Sequence, residues 1–495
     1  MTTKFLAVFA LAVPAALTSV ASRAVTCSDL EQLASDTVAI TAVEQRTDAT
    51  VEQRFGPPTS LAPHCRVAAV LMPRPESRIE MEVWMPQQWN GKFLALGNGG
   101  WAGAISYSAM AAGLQAGYAV ASNDTGHTGG SAAFAVGNRE KLVDFAWRAM
   151  HEMTVIAKAV IETFYERAPR LSYFQGCSTG GRQGMKEAQM FPGDFDAIIA
   201  GAPVNNQLTL NATQLASIVR FLEDPELMLS REKVELVHNA VLAACEADDG
   251  IEDGFLNDPL TCGFEPRSLQ CERRRDTAEC LTREEVSSLE RAYTGVFSES
   301  GRLIYPGHAK GFELGWRIPE PGSEPSALQS DATRYLVYED ADWDWREFDL
   351  ERDLALALQK AGYIEALDAD LSEFKARGGK ILFYHGWNDP GPSPLNTIAW
   401  YNDVLATMGP DQDDWMRLFM VPGMGHCAGG IGPDQADFLG AIDDWVEDGV
   451  APERIIASRM SDGEVDMTRP LCPYPEVATW DGTGDPNDAA SFSCR

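Results

Sequence analysis

Gly176-Cys177-Ser178-Thr179-Gly180-Gly181-Arg182-Gln183 places a serine between close-packed glycines, directly after an apolar run from Leu171 to Phe174. A G-x-S-x-G turn holds its serine in a tight strand-to-helix corner, lifts the hydroxyl clear of the sheet and aims the next N–H at a developing oxyanion. The chemistry this implies is acyl transfer. With 43 glycines in the chain such a turn also arises by chance, so the reading depends on a base and an acid elsewhere. Downstream, Ile381 to Tyr384 is followed by His385-Gly386-Trp387-Asn388-Asp389, and Trp415 to Val421 by Pro422-Gly423-Met424-Gly425-His426-Cys427. The order serine, acid, histidine, with each partner leaving a later strand, assigns Ser178 as nucleophile, Asp389 as acid and His426 as general base. His64, His151, His238 and His308 lie outside strand-end turns; His127 and His385 follow strands but precede the base position, and His385 is expected to line the site. Upstream, Phe93 to Leu96 runs into Gly97-Asn98-Gly99-Gly100-Trp101. Such a loop supplies one oxyanion donor, with Gly100 and Thr179 as the candidate pair.

These residues require a sheet to carry them. Short β-branched or aromatic runs alternate with helical patterns in two separated blocks, which indicates an α/β sheet interrupted by an insertion. The first block offers strands at Val67 to Met72, Ile79 to Met85, Phe93 to Leu96, Tyr118 to Ser122, Leu171 to Phe174 and Ala197 to Ala200. A helix over Lys141 to Tyr165 has an apolar stripe through Ala149, Met153, Ile156, Val160 and Phe164. The second block resumes at Lys380 and contains a helix from Asp434 to Trp445 and a strand from Arg454 to Ser458. The expected fold is an α/β-hydrolase core, residues 25–204 and 371–495, with a large inserted lid domain, 205–370.

The 495 residues are too many for one simple core. Met1 to Ala24 reads as a signal peptide: Lys4, then a mostly apolar stretch from Phe5 to Val20, then Ser22-Arg23-Ala24. A membrane anchor fits less well, because the run is short for a span and Pro14 breaks it. Ten cysteines agree with export, secreted or periplasmic. Formal net charge is −32, and loss of the leader removes Lys4 and Arg23 but no acid, leaving −34. Such a surface repels nucleic acid and anionic membranes. No G-x-G-x-x-G spacing supports a nucleotide or flavin site. The cysteines could pair in about 945 ways; a zinc site is the alternative, but no paired C-x-x-C spacing favours it.

The assembled segments resemble the tannase and feruloyl esterase family, which includes mono(2-hydroxyethyl) terephthalate hydrolase. They are Asn123-Asp124-Thr125-Gly126-His127, Tyr173 to Gly184, Phe195 to Pro203 and Pro422 to Cys427. The resemblance implies a disulfide from Cys177 to Cys427, clamping the neighbours of nucleophile and base, and four others: Cys27 to Cys65, Cys245 to Cys262, Cys271 to Cys280 and Cys472 to Cys494. It also implies a structural Ca2+ in the lid, at the acidic, glycine-punctuated loop Cys245 to Phe255. By position the ligands are Asp249, Asp253 and the carbonyls of Ile251 and Phe255, with Glu246 where the family has an aspartate. Carboxylates and carbonyls are the hard ligands calcium takes, although the spacing is not that of an EF-hand. Finally, Arg334 and Tyr338 match the spacing of an arginine and aromatic that hold a free carboxylate in the terephthalate monoester hydrolase.

The expected activity is that of a secreted serine esterase acting on small aromatic esters, feruloyl or hydroxycinnamoyl in the first instance. Terephthalate monoesters or gallate esters are the alternatives. A non-catalytic, calcium-stabilised binding protein is a remote one. Oligomeric state is left open.

Overall fold

Runs that are apolar without alternation become strands covered on both faces. Eight such runs and a half-exposed edge strand form the central sheet of the computed structural model, which describes residues 25–52, 58–272 and 277–495; of Asp248 and Asp249 only the backbone is described. The expected leader, Met1 to Ala24, lies outside the described residues. In chain order the strands are β1 (Val38–Arg46), β2 (His64–Leu71), β3 (Ile79–Pro86), β4 (Lys92–Leu96), β5 (Ala119–Asn123), β6 (Leu171–Cys177), β7 (Ala197–Gly201), β8 (Lys380–Gly386) and β9 (Met416–Val421). Their spatial order is β1-β2-β3-β5-β4-β6-β7-β8-β9. Pairing is antiparallel from β1 through β3 to β5 and parallel from β5 across to β9. The exchange of β4 and β5 lets the chain cross over, so β6 lies in mid-sheet beside β4 and β7. This is the α/β-hydrolase arrangement.

Helices cover both faces. Of helices α1 (Ala149–Tyr165), α2 (Thr179–Met190) and α3 (Pro394–Met408), α1 and α3 pack on one side through Met153, Ala157, Ile161, Trp400, Tyr401 and Val404. On the other side lie the helix Tyr107–Gln115 and the helix Phe438–Asp448, with Leu114, Phe438, Ile442 and Trp445. Helix α2 (Thr179–Met190) follows β6 directly.

Several elements differ from the sequence reading. The edge strand β1 was not foreseen, because its residues are mostly half-exposed and lack a clean two-residue alternation. The helix over Lys141 to Tyr165 is broken by a π turn, Asp144–Arg148, in which buried Asp144 accepts from Ser77 Oγ (2.7 Å) and Arg148 Nε (2.6 Å). The helix expected from Asp434 begins at Phe438, where the Asp437 side chain accepts from Gly440 N–H (2.8 Å). The strand near Arg454 forms, as Ile455–Ser461, in a separate three-stranded sheet.

Between β7 and β8 none of the described residues joins the central sheet. This segment is largely helical, with Gln207–Glu223, Arg231–Cys245, Arg283–Thr294 and Leu350–Ala361 as its longer helices. Its return to the core runs along α2. Arg182, Lys186 and Gln189 stand on one face of that helix and donate to the carbonyls of Ile364 (3.0 Å), Glu365 (2.5 Å) and Asp368 (2.9 Å). Arg182 also donates to Ala146 O (2.8 Å) and is fully buried.

Five disulfides form: Cys27–Cys65, Cys177–Cys427, Cys245–Cys262, Cys271–Cys280 and Cys472–Cys494. These are the pairings the family resemblance implied, and they suit an oxidising compartment. Among the described residues no helix is long and apolar enough to cross a membrane.

Candidate active site

Ser178 sits at the corner between β6 and α2 with φ +65° and ψ −123°. A non-glycine residue there costs on the order of 1–3 kcal/mol and persists only where its surroundings hold it. Here the Ser178 N–H donates to Gly201 O (2.9 Å), while its carbonyl accepts from Arg182 N–H and Val204 N–H (both 3.1 Å). The corner can be this tight because the crossing residues have no side chains. A Cβ on Gly176 would lie 2.6 Å from the Gly180 carbonyl carbon, and one on Gly97 would lie 2.8 Å from Gly180 Cα. The end of β4 is thereby pressed against the start of α2.

His426 leaves the turn after β9 and Asp389 the turn after β8, as the sequence order required. His426 Nδ1 lies 2.6 Å from Asp389 Oδ2, and His426 Nε2 lies 2.9 Å from Ser178 Oγ. With the Nδ1 proton given to the carboxylate, Nε2 accepts from the serine hydroxyl. The Cys177–Cys427 bridge joins the residue before the serine to the residue after the histidine, and Cys427 itself has φ +65°.

Asp389 is fully buried. Burial raises its pKa, but hydrogen bonds from His385 and then His426 outweigh that, and the carboxyl ends well below its ordinary range. His385, expected only to line the site, is a second imidazole on the same carboxylate: its Nε2–H donates to Asp389 Oδ2 (3.1 Å), while Nδ1 accepts from Thr397 Oγ1 (2.8 Å). Gly391 N–H donates to Asp389 Oδ1 (2.7 Å), and His308 Nδ1 donates to the Asp389 carbonyl (3.2 Å). Sequence could not show this second imidazole's role, since His385 is set apart from the other histidines only by being four residues before the acid.

Gly100, with φ +56°, and Thr179 face one another across the elbow: Thr179 Oγ1 donates to Gly100 O (3.0 Å). Thr179 is the first residue of α2, where an N–H has no partner within the helix and points with the positive end of its dipole. The loop carrying Gly100 is fixed from behind. Gln183 Oε1 accepts from Asn98 N–H (2.9 Å), Asn98 Nδ2 donates to Asn123 O (2.8 Å), and His127 Nε2 donates to Trp101 O (2.8 Å) while its ring stacks on Phe134. Gln183 and His127 belong to the segments that carry the family resemblance, yet their supporting role emerges only in three dimensions.

A cavity of about 120 Å³ lies against the helix Gln207–Glu223; its wall includes Pro390 and Gly391, which follow Asp389, and His308, which bonds the Asp389 carbonyl. Arg334 and Tyr338 are not in its wall. Arg334 is half-buried in the π turn Ala332–Val337, and Tyr338 gives its hydroxyl to Asp353 Oδ1 (2.7 Å) and stacks on Trp343.

The acidic loop is held by the Cys245–Cys262 bridge and turns at Gly250 (φ +85°) and Gly254 (φ +92°). Glu246 Oε1 accepts from Gly254 N–H, and the Asp253 carboxylate pairs with the fully buried guanidinium of Arg469, which lies over Phe492. The side chain of Asp249 lies outside the described residues. Its donors are oxygens throughout, so the loop fits a hard cation in chemistry. Elsewhere, among the described residues, His151, Glu187 and Asp194 converge. There burial, then the charge of Asp194, hold the Glu187 carboxyl well above its ordinary pKa, and Asp194 takes His151 Nδ1 at 2.6 Å.

A serine, histidine and carboxylate in relay on this sheet define a carboxylic ester hydrolase of the serine type. Residues 65–495 match the family model described as tannase and feruloyl esterase. The chain is 34% identical to a probable feruloyl esterase B-1 of Aspergillus flavus, over 87% of this chain and 86% of that protein. It is also 34% identical to an uncharacterised esterase of Xanthomonas campestris, over 98% and 93% respectively. The crystal structure of feruloyl esterase B from Aspergillus oryzae superposes with a TM-score of 0.88 at 29% identity, covering 95% of this chain and 99% of that one. The chain belongs to the tannase and feruloyl esterase family.

Proposed function

We propose that this protein is an exported esterase that hydrolyses esters of aromatic carboxylic acids, hydroxycinnamates foremost, through an acyl-serine at Ser178. The observation that carries the reading is the relay Ser178 Oγ to His426 Nε2 (2.9 Å) and His426 Nδ1 to Asp389 Oδ2 (2.6 Å). The names of the feruloyl esterase relatives support the aromatic acyl group, and the five disulfides support export.

In the first step His426 Nε2 takes the Ser178 proton as Oγ bonds to the ester carbonyl carbon. The carbonyl oxygen becomes an oxyanion facing the N–H groups of Gly100 and Thr179. Asp389 keeps the imidazole in the required tautomer and stabilises the imidazolium. Collapse of the intermediate breaks the carbon–oxygen bond to the alcohol, whose oxygen receives the proton from His426. A water then gives a proton to His426 and attacks the acyl carbon, and a second collapse restores Ser178 and releases the acid.

A Ca2+ in the loop 245–255 would be held by Asp249, Asp253 and the carbonyls of Ile251 and Phe255, with Glu246 bracing the turn through Gly254; it would supply cross-linking charge and no chemistry.

The test is initial rates on methyl ferulate, methyl gallate and mono(2-hydroxyethyl) terephthalate, with Ser178→Ala as the control. Turnover of at least one ester, abolished in a folded Ser178→Ala variant, is expected. Appreciable activity in that variant would refute the nucleophile, and a dominant rate on gallate or terephthalate would move the acyl preference.

A further inference from the structure

Away from the triad, the far end of the nucleophile helix carries a buried acid with no donor on it. Glu187 stands in the last turn of α2, about 14 Å along the helix from Ser178. It is 1% exposed, and among the described residues no donor reaches either of its carboxyl oxygens. A carboxyl buried in that way is strongly unfavourable, and an apolar side chain of like size would be more stable there. The group beside it is a second acid, Asp194, in the turn between α2 and β7. A proton shared between the two would satisfy one oxygen of Glu187 and leave the other bare, whereas a metal ion can take both. Lys158 is the nearby cation, but its ammonium donates to the Asp194 carbonyl and to neither carboxylate, and burial lowers its pKa.

The third member is an imidazole. His151, in the first turn of α1, has Nδ1 2.6 Å from Asp194 Oδ2. One ligating atom from each of His151, Glu187 and Asp194 lies within 4.8 Å of the other two. Some point is therefore no more than about 2.8 Å from all three, and shifts below about 1 Å bring each atom to the bonds of about 2.0–2.2 Å that Zn2+ makes with nitrogen and oxygen. The surroundings hold the ligands in place. The His151 ring stacks on Phe191 with centroids 3.8 Å apart, and the Asp194 turn is fixed by its N–H on Phe191 O (2.9 Å) and by Lys158 on its carbonyl. Glu187 is enclosed, while the His151 and Asp194 side chains are 28% and 16% exposed, which leaves an ion a way in from solvent.

We infer that His151, Glu187 and Asp194 form a binding site for a divalent transition-metal ion, Zn2+ in the first instance, that ties α1, α2 and the turn into β7 together. One imidazole with two carboxylates is a donor set that Zn2+ accepts, whereas Ca2+ takes six to eight oxygens. The ion takes the place of the proton between His151 Nδ1 and Asp194 Oδ2, and its charge neutralises Glu187. Its distance from Ser178 keeps it out of acyl transfer. What it governs is how firmly the helix behind the nucleophile is seated.

The experiment strips the full-length protein with EDTA, dialyses it, saturates it with Ca2+ to supply the loop 245–255, and titrates it with ZnCl2 in a calorimeter. The same samples are then melted. One equivalent should bind with a Kd of about 1 μM or tighter, and the melting temperature should rise with it. His151→Ala and Glu187→Gln should each weaken that equivalent at least tenfold and abolish the rise. Absence of such an equivalent in the unmodified protein overturns the site. So does a loss of less than tenfold in either folded variant, which would put the zinc at the triad imidazole or on the acidic surface. If Glu187→Gln does not fold, His151→Ala, at a partly exposed position, decides alone. Neither readout uses turnover, so the outcome is independent of the esterase reading.

Discussion

Removing the Cys177–Cys427 bridge separates two roles that one bond performs. The bridge closes a sequence separation of 250 residues. The chain-entropy relation assigns a loop of that length about 5.5 kcal/mol of stabilisation, as an upper figure. The two bridges inside the loop, spanning 17 and 9 residues, shorten it too little to change this. The bridge also joins Ser178 to His426 through their immediate neighbours, and both Ser178 and Cys427 have φ of +65°. Without the bond, the turn after β9 can relax its left-handed residue and carry His426 away from the 2.9 Å contact with Ser178. A displacement of about 1 Å in such a contact costs on the order of 100-fold in rate. Cys177→Ser/Cys427→Ser is therefore expected to lower both the melting temperature and kcat, the latter by about 100-fold at 25 °C where the variant is still folded, with KM within about threefold. The assay is steady-state kinetics on methyl ferulate alongside thermal denaturation of the same preparations. A variant that melts earlier but keeps kcat within about threefold would show that the bridge only staples the chain, and the positioning argument would be wrong.

Asp389→Asn should leave the fold in place and lower kcat by about 10⁴-fold, because an amide favours the wrong imidazole tautomer; a loss under tenfold would mean that His385 or the Gly391 amide orients His426 unaided. Stability should depend on pH through Glu365, whose carboxyl burial pushes up to about 8 against the opposing attraction of Arg182. Between its ordinary value of about 4.3 and 8 the folded chain holds a proton that the unfolded chain has released, so stability falls as pH rises, by up to about 1.4 kcal/mol per unit. Lys186, lowered to about 8 chiefly by burial, adds nothing below that pH. Denaturant midpoints in Glu365→Gln should show a shallower slope between pH 5 and 8, the remainder coming from Asp124 and Glu187, which burial also raises; a slope unchanged by the substitution would remove Glu365 from the account. Chelation with EDTA should lower the melting temperature, with recovery on adding Ca2+ but not Mg2+; no shift in a metal-free preparation would remove calcium from the loop 245–255.

The core of the site was legible because it is written in contiguous segments. The glycines around Ser178, the strand before Asp389 and the strand before His426 each carry a local signal, and the order of the three limits the assignment. The elements that escaped are those whose cause is tertiary. β1 is half-exposed, so its residues carry no strong periodicity, and the π turn at Asp144 is accompanied by contacts to Ser77, 67 residues away. The second imidazole on Asp389 could not be read, since nothing in His385-Gly386-Trp387-Asn388-Asp389 distinguishes a lining histidine from a carboxylate partner.

The ladder of Arg182, Lys186 and Gln189 along the nucleophile helix sets a practical limit on exchanging parts between relatives. The carbonyls it grips belong to Ile364, Glu365 and Asp368, at the close of the inserted segment. A chimera whose donor segment stops short of Ile364 leaves this ladder native on both sides. One cut at the 370 boundary brings in a foreign strap, which the resident serine helix must then accommodate. The transplantable module is thus shorter than the insertion, and its downstream seam belongs upstream of Ile364.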